Sequence, residues 1–115
     1  MQYFVKQRAT ETGDVTMNTP AIDVDGVPQL TFELIVYRIT GTTEQIVGQL
    51  QSSNDMETWT DISGADVTRA ATGSDTDQAN AKDRPYGRYV RFKITISGSI
   101  TEIEYSLILN TFPSS

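Results

Sequence analysis

The sequence predicts an all-β protein, an antiparallel β-sandwich of about eight strands. Apolar residues alternate with polar ones at a period of two along most of the chain, which is typical of half-buried strands. Turn residues such as Pro20, Pro28 and Gly98 separate the alternating runs, and no run has the period of about 3.6 residues that marks an amphipathic helix. The 115 residues predict a single domain, 1–115, which is long enough to bury a core without disulfides.

The clearest alternation lies in residues 89–96 and 103–109, which a short Gly98-Ser99 loop is expected to join as a hairpin. In the predicted register three pairs fill the inner face: Ile94 with Ile103, Phe92 with Tyr105, and Val90 with Leu107. Lys93 then falls opposite Glu104 on the outer face, an attractive cross-strand pair.

A second hairpin is predicted from residues 30–39 and 46–50, turned by Gly41-Thr42-Thr43. Apolar residues also occupy the opposite face of its first strand, at Ile35, Tyr37 and Ile39. Such a strand is typically central and covered on both faces. Two covers remain open, a loop of the same chain or another subunit. Gly48 in the second strand indicates a bulge or a close approach by another backbone.

The N-terminal strands are less regular. Residues 2–9 form one predicted strand, and residues 15–17 and 21–24 form short ones that the neighbouring prolines confine to edges or turns. Residues 63–87 contain few large apolar side chains and are predicted to be a long polar connection with one short strand at 67–71. Long ordered connections often carry function.

The composition excludes most catalytic chemistry. The chain has no cysteine and no histidine, so thiolate nucleophiles and the commonest general base are missing. Glu102 and Glu104 share one face of a regular strand, which is more typical of a solvated face than of a glycosidase cleft. Asp23-Val24-Asp25-Gly26 and Ser74-Asp75-Thr76-Asp77 lack the later glutamate of an EF-hand and are interpreted as turns. We expect no enzyme, no metal and no cofactor.

The charge of the chain limits its partners. A net charge of −6 and a pI near 4.4 disfavour nucleic acids and anionic membranes. Residues 1–8 lack the apolar core of a signal peptide, and no apolar run is long enough to span a bilayer. We therefore expect a protein made in the cytoplasm, with neither nucleic-acid nor membrane partners.

The best contact candidates are aromatic and basic. Trp59 follows a polar turn, where a lone tryptophan in a β-sandwich is more often a core residue than an exposed anchor. Tyr86 is a further candidate, and the alternation places Tyr89 and Arg91 on an outer face. Arg91 also forms a basic group with Arg84 and Arg88, which could contact the acidic turns of another copy.

Two segments carry a family resemblance. Residues 52–62, which include Ser52, Asp55 and Trp59, followed by Gly87-Arg88-Tyr89-Val90-Arg91, resemble the S-x-D-G-x-x-W … R-Y-[VI]-R pattern of discoidin-like (F5/8 type C) jelly-roll domains. They are even more similar to small jelly-roll proteins encoded among tailed-phage virion genes. The resemblance spans residues 45–62 and 87–109 and implies an eight-stranded jelly roll with contact loops at one end. Met56 stands where the discoidin pattern has glycine.

These observations predict a non-enzymatic structural protein of a phage or phage-like particle, such as a capsid decoration (cement) protein or another virion accessory subunit. Its expected partners are other virion or capsid proteins and copies of itself, as a homo-oligomer. Its expected location is the virion, assembled in the host cytoplasm. The candidate contact residues are Ile35, Tyr37, Ile39, Trp59, Tyr86, Arg88, Tyr89 and Arg91. The alternative is a carbohydrate- or surface-binding module of discoidin-like type, with a glycan as ligand.

Overall fold

A computed structural model describes residues 2–40, 45–80, 82–98 and 102–112. These residues form nine strands and no helix. In chain order the strands are β1 (Gln2–Glu11), β2 (Val15–Asn18), β3 (Ile22–Asp23), β4 (Gln29–Thr40), β5 (Gln45–Ser53), β6 (Thr60–Arg69), β7 (Gly73–Asn80), β8 (Tyr89–Ser97) and β9 (Glu102–Phe112). In this part of the chain, then, there is no helix that could cross a membrane.

The strands form two antiparallel sheets, so the predicted fold class is confirmed. One sheet has the order β1-β9-β4-β7, and the other has the order β2-β8-β5-β6 with β3 also paired to β8. β2 and β3 are one strand interrupted at Thr19-Pro20-Ala21, because both pair with β8. When they are counted together the described residues form eight strands, and most connections cross from one sheet to the other. This order is that of a jelly roll.

The core lies between the two sheets. The inward residues of the four-stranded sheet include Phe32 and Tyr105, and those of the facing sheet include Phe92 and Leu50. The Phe32 and Phe92 rings meet edge to face with their centroids 5.3 Å apart. Fully burying an apolar side chain of this size stabilises a fold by about 1.5–3 kcal/mol. The core therefore holds the two sheets together and fixes which face of each strand is available outside.

The predicted hairpin of residues 89–96 with 103–109 is wrong. Phe92 and Tyr105 both point into the core as expected, but β8 pairs with β5 and β9 pairs with β1 and β4. Lys93 lies opposite Gln49 and not Glu104. The alternation requires only that both apolar sets face inward, and two strands in opposite sheets satisfy that requirement as well as two paired strands. Of the predicted Gly98-Ser99 turn, Ser99 lies outside the described residues.

The second predicted hairpin fails for the same reason. β4 and β5 belong to different sheets, although β4 is central in its own sheet, as predicted. The Gly41-Thr42-Thr43 turn lies outside the described residues. A Cβ built on Gly48 would lie 3.3 Å from Val67 Cγ2 and 3.7 Å from Leu107 Cδ2. The atoms close to Gly48 are therefore core side chains, and neither the bulge nor the approach of another backbone that was predicted at this position is found.

Residues 63–87 are not one long loop. They contain most of β6 and all of β7, which are edge strands of the two sheets. Both strands are polar because an edge strand buries few side chains, here mainly Ile62, Ala65, Val67 and Ala79. Asp75 lies on the inward side of β7 and accepts a hydrogen bond from the Thr68 backbone N–H at 2.8 Å. This bond ties the two edges together and occupies an N–H that an edge strand would otherwise leave open.

Candidate functional site

The two segments that carry the sequence motifs meet at one end of the sandwich. β5 and β8 are neighbours, and Gln51 pairs with Arg91 in their ladder. Just before β8, the Gly87 N–H donates to Ser52 Oγ at 2.5 Å and the Arg88 N–H donates to Asn54 Oδ1 at 3.2 Å. A Cβ on Gly87 would lie 2.5 Å from Asn54 Oδ1. The glycine is thus required by the close approach of the two segments.

Asp55 organises the turn between β5 and β6. Its Oδ1 accepts hydrogen bonds from the Glu57 and Thr58 backbone N–H groups, each at 2.9 Å, and from Ser53 Oγ. These bonds, led by that of Thr58, hold the pKa of the Asp55 carboxyl below its ordinary value. The S-x-D part of the motif therefore builds a rigid turn.

Met56 follows Asp55 with a φ of 63°, in the left-handed region that favours glycine. Its side chain is 52% exposed. The resemblance pattern has glycine at this position, which adopts a left-handed backbone without steric cost, whereas this chain places an L side chain there. The replacement of the pattern's glycine by Met56 is thus a source of local strain.

Trp59 is not a core residue, which corrects the interpretation favoured from the sequence. It is half-buried on the outer face of the five-stranded sheet, where the Arg91 guanidinium lies 4.2 Å from the ring centroid. Its Nε1–H donates to the Met56 carbonyl at 3.2 Å. Arg91 Nε donates to Gln51 Oε1, and Gln51 Nε2 donates to Asp61 Oδ1, each at 2.8 Å. The Trp59 ring therefore lies against the arginine of this Arg91–Gln51–Asp61 chain of side-chain hydrogen bonds.

Tyr86, Tyr89 and Arg88 do not form one patch. The Tyr86 hydroxyl donates to the Val27 carbonyl at 2.5 Å, its ring packs against the core, and burial raises its pKa. Tyr89 lies on the outer side of β8 beneath the Arg88 guanidinium, 5.2 Å from its ring centroid. Arg88 also pairs with Asp23: its Nη2 donates to Asp23 Oδ2 at 3.3 Å, and this hydrogen bond to the carboxylate raises the Arg88 pKa.

The three arginines of the predicted basic group each have a partner within the chain. Arg84 pairs with Asp77 at 2.6 Å, while Arg88 pairs with Asp23. Arg91 is held by its tryptophan and glutamine neighbours, as above. The group is therefore not a continuous positive surface, because its charge is largely compensated where it stands.

The candidates on β4 fall on two faces. The β4–β9 ladder shifts between Val36 and Arg38, so Tyr37 bulges and Ile39 turns inward against the core. Ile35 stays on the outer face, opposite Ser106. The Tyr37 hydroxyl donates to Ser106 Oγ at 2.9 Å, and the Arg8 guanidinium lies 4.0 Å from the Tyr37 ring centroid.

Sequence reasoning missed two residues of this outer face. Phe4 is 52% exposed on β1, and it pairs across the ladder with Ile108 of β9. We call the surface formed by Phe4, Ile35, Tyr37 and Ile108 the outer apolar face. The sequence does contain a signal for this face, because Ile108 is apolar at a position where the alternation of β9 predicts a polar residue.

The acidic residues considered in the sequence bond within the protein. Asp23 Oδ1 accepts from the Asp25 N–H at 3.0 Å, a bond that together with Arg88 lowers the Asp23 pKa. Glu102 pairs with Arg38, and Glu104 pairs with Arg8 at 3.5 Å. In the portion of the chain that the structure covers, no three acidic side chains converge as a metal site would require.

An open cleft lies beside the joined motifs. It has a volume of about 750 Å³ and runs between the β5–β6 turn and the segment before β8. The apolar part of its lining is formed by Ile62, Pro85 and Tyr86. Hydroxyl and charged side chains complete it, among them Thr60, Ser63, Asp55, Asp61, Asp83 and Arg84. No local pattern in the sequence indicates this cleft, because its two walls are distant along the chain.

Comparisons with known proteins extend the description of the fold. No family model and no curated protein matches this sequence. The PBSX exported protein XepA is similar in structure, with a TM-score of 0.73 and 16% identity over 100% of this chain and 38% of XepA. A chain from infectious bursal disease virus, Gt strain, is similar with a TM-score of 0.58 and 11% identity over 95% of this chain and 30% of that chain. This chain thus spans well under half of either neighbour, and at such low identity what it shares with them is a β-sandwich fold that occurs in phage and viral proteins.

Proposed function

We propose that this protein is a non-enzymatic structural component of a phage or phage-like particle, a capsid decoration protein or a related virion accessory subunit. It acts through contacts with other virion proteins and with copies of itself. The observation that carries the proposal is its jelly-roll sandwich, which matches the phage protein XepA over the whole chain and a chain of a virus structure over 95% of it.

The outer apolar face supports a role in protein–protein contact. Phe4 exposes half of its side chain on a sheet that already buries its other face in the core. Exposed apolar surface rimmed by polar groups is typical of protein interaction sites. Arg8 and Arg38 lie at one end of this face, each with a glutamate partner. Such a rim supplies polar groups around an apolar centre, as interfaces commonly do.

The candidate contact residues divide accordingly. Ile35 and Tyr37 belong to the outer apolar face. Ile39 packs inward against the core and is therefore not a contact candidate. Trp59, Tyr89 and Arg91 form a second surface on the opposite sheet, which is available to another partner. Arg88 sits at its edge, and Tyr86 contributes to the core and the cleft.

The first test asks whether the protein is in particles. Particles produced by the source cell are purified on a density gradient, and their proteins are identified by mass spectrometry. We expect this chain to co-purify with the capsid or tail proteins in a fixed ratio. Its absence from intact particles, with presence only in the soluble fraction, contradicts the proposal.

The second test asks whether the outer apolar face mediates self-association. Light scattering after size-exclusion chromatography is expected to show an oligomer that Phe4→Ser dissociates. Met56→Ser is the matched control, because Met56 is also 52% exposed but lies in the β5–β6 turn. A wild-type monomer, or equal effects of the two substitutions, rules out this face as the contact between copies.

A further inference from the structure

We propose that two copies of this protein pack their outer apolar faces together about a two-fold axis that places Glu33 of each copy against Arg38 of the other. The inference rests on the proposed self-association through this face, and it adds how the second copy is oriented. Two features of the face carry it: an unpaired acidic side chain within the apolar surface, and two arginines at one end of it.

Glu33 lies within the outer apolar face. It is half-buried on the outer side of β4, between Ile108 of β9 and Thr76 of β7 in the ladders of the sheet. Among the residues that the structure describes, its carboxylate has neither an ion pair nor a hydrogen bond. A partner that covers this face without a positive group opposite Glu33 would bury an unpaired charge, which is costly.

Two arginines supply positive groups at the end of the same face. Arg38 follows the bulge at Tyr37 on β4, and the Arg8 guanidinium lies 4.0 Å from the centroid of the Tyr37 ring. Both arginine side chains are more than half exposed, and their ion pairs join Arg8 Nη2 to Glu104 and Arg38 Nη1 to Glu102. Because a guanidinium has five N–H donors, each arginine keeps donors for a second carboxylate.

The β4–β9 ladder places these groups symmetrically. We call the residues that pair across the sheet a rung. The Ile35 rung lies midway between the Glu33 rung and the Arg38 rung, two residues from each when counted along β9, or about 7 Å. A two-fold axis that lies in the plane of contact, perpendicular to the strands and over the Ile35 rung, reverses the strand direction. It therefore brings the Glu33 rung of each copy over the Arg38 rung of the other, so that the contact forms twice.

A two-fold axis along the strands does not compensate the charge. Such an axis keeps every rung over the same rung of the other copy. Glu33 then faces Glu33 of the other copy or a neutral neighbour of its own rung, Ile108 or Thr76. Like charges repel, and a carboxylate against a neutral side chain is desolvated without a partner. The antiparallel arrangement is therefore the one that pairs Glu33.

The overlap is large enough for a stable pair. With the axis over the Ile35 rung, the nine β9 residues from Asn110 to Glu102 overlap with the same nine residues of the other copy. At a rise of about 3.4 Å per residue and a strand spacing of about 4.8 Å, four strands of this length cover roughly 600 Å² per copy. A total of about 1,200 Å² reaches the lower bound of specific interfaces.

The test is charge reversal followed by complementation. Glu33→Arg and Arg38→Glu are made separately in the whole chain, and sedimentation equilibrium measures the Kd of self-association. Each variant alone is expected to raise the Kd roughly a hundredfold, because like charges then meet across the axis. An equimolar mixture of the two variants is expected to associate with a Kd close to that of wild type, since every contact between positions 33 and 38 then joins opposite charges.

The matched control is Glu57→Arg, the same change of charge at an exposed glutamate of the β5–β6 turn, outside the face. It is expected to leave the Kd of self-association unchanged. If Arg38→Glu does not fold, Glu33→Arg and this control still decide, because Glu33→Arg alone has to weaken association. The chain that carries both Glu33→Arg and Arg38→Glu gives a second measurement, and it is expected to self-associate as wild type does.

The outcomes separate this inference from the proposed function. A wild-type pair that Glu33→Arg weakens no more than Glu57→Arg overturns the arrangement and leaves self-association through the face intact. Folded variants that fail to associate when mixed overturn the pairing of Glu33 with Arg38, and an odd-numbered oligomer overturns the two-fold axis. A wild-type chain that stays monomeric overturns both the arrangement and the self-association, whereas presence in particles is decided by the density gradient.

Discussion

Replacing Gly87 by alanine separates the two motif segments at their closest contact. The φ of Gly87 is outside the left-handed region, so alanine is acceptable to the backbone and the cost is steric. The added Cβ would lie 2.5 Å from Asn54 Oδ1 and 2.9 Å from the Ser53 carbonyl oxygen. One of these atoms belongs to the backbone, so the loop itself has to move.

The magnitude follows from the contacts that are lost. The N–H groups of Gly87 and Arg88 donate to Ser52 and Asn54, and each bond is worth about 1 kcal/mol net. Overpacking costs roughly 1–3 kcal/mol, and the stiffer unfolded chain of the alanine variant returns about 0.5–1 kcal/mol. We expect Gly87→Ala to lower the free energy of unfolding by about 3 kcal/mol.

Urea denaturation followed by tryptophan fluorescence measures this loss, because Trp59 lies next to the contact. In an Asn54→Ala background the shortest clash and one hydrogen bond are already gone, so Gly87→Ala should cost only about 1–2 kcal/mol. A loss below about 0.5 kcal/mol in the wild-type background refutes the steric reasoning. An identical loss in both backgrounds refutes the assignment of the clash to Asn54.

Three further predictions concern single side chains. Met56→Gly should raise the free energy of unfolding by about 0.5–1 kcal/mol in urea titrations, because it relieves a left-handed L residue; a decrease contradicts the strain. Tyr105→Phe should raise the free energy of unfolding by about 1 kcal/mol, seen as a higher melting temperature, because the buried Tyr105 hydroxyl has no hydrogen-bond partner among the described residues. A loss of stability of similar size would show that the hydroxyl does have a partner. Asp55→Asn should destabilise the protein at neutral pH, and the difference from wild type should shrink below about pH 4. The sign follows because the pKa of Asp55 is lower in the folded state than its ordinary 3.8, so its contribution is complete above that value and is lost as the pH falls through the folded pKa. A difference that does not change with pH contradicts this.

Much of the fold could be predicted from local pattern. The inward set of β8, such as Phe92, and of β9, such as Tyr105, is confirmed by their complete burial. The interruption near Pro20 is confirmed by the break between β2 and β3 at the edge of their sheet. These features depend on neighbouring residues alone, since side chains alternate along any strand.

The polar edge strands could not be predicted in this way. β7 carries Asp75 and Asp77 on its inward side, where alternation calls for apolar residues. Both carboxylates are acceptable there because Thr68 and Arg84 bond to them across the open edge. That compensation comes from residues on other elements, so a window of sequence does not contain it.

The candidate site was predicted in part. Alternation correctly assigned Arg91 and Tyr89 to an outer face, as their ladder positions opposite Gln51 and Ser53 show. It could not find that Trp59 folds over Arg91, because a residue beyond the end of a strand has no alternation to orient it. It also placed Ile39 outward, since one bulged residue, Tyr37, reverses the faces of everything after it.

The order of amino acids by itself determined the all-β class, the inward and outward residues of β8 and β9, and the absence of histidine and thiol chemistry. The tertiary structure alone decided which strands are partners, where β4 bulges, and that distant segments meet around Gly87 to form a cleft. The physical reason is that side-chain alternation is a local property of an extended backbone. Backbone pairing is settled only when two sheets close over a shared core, and many pairings satisfy the same local pattern.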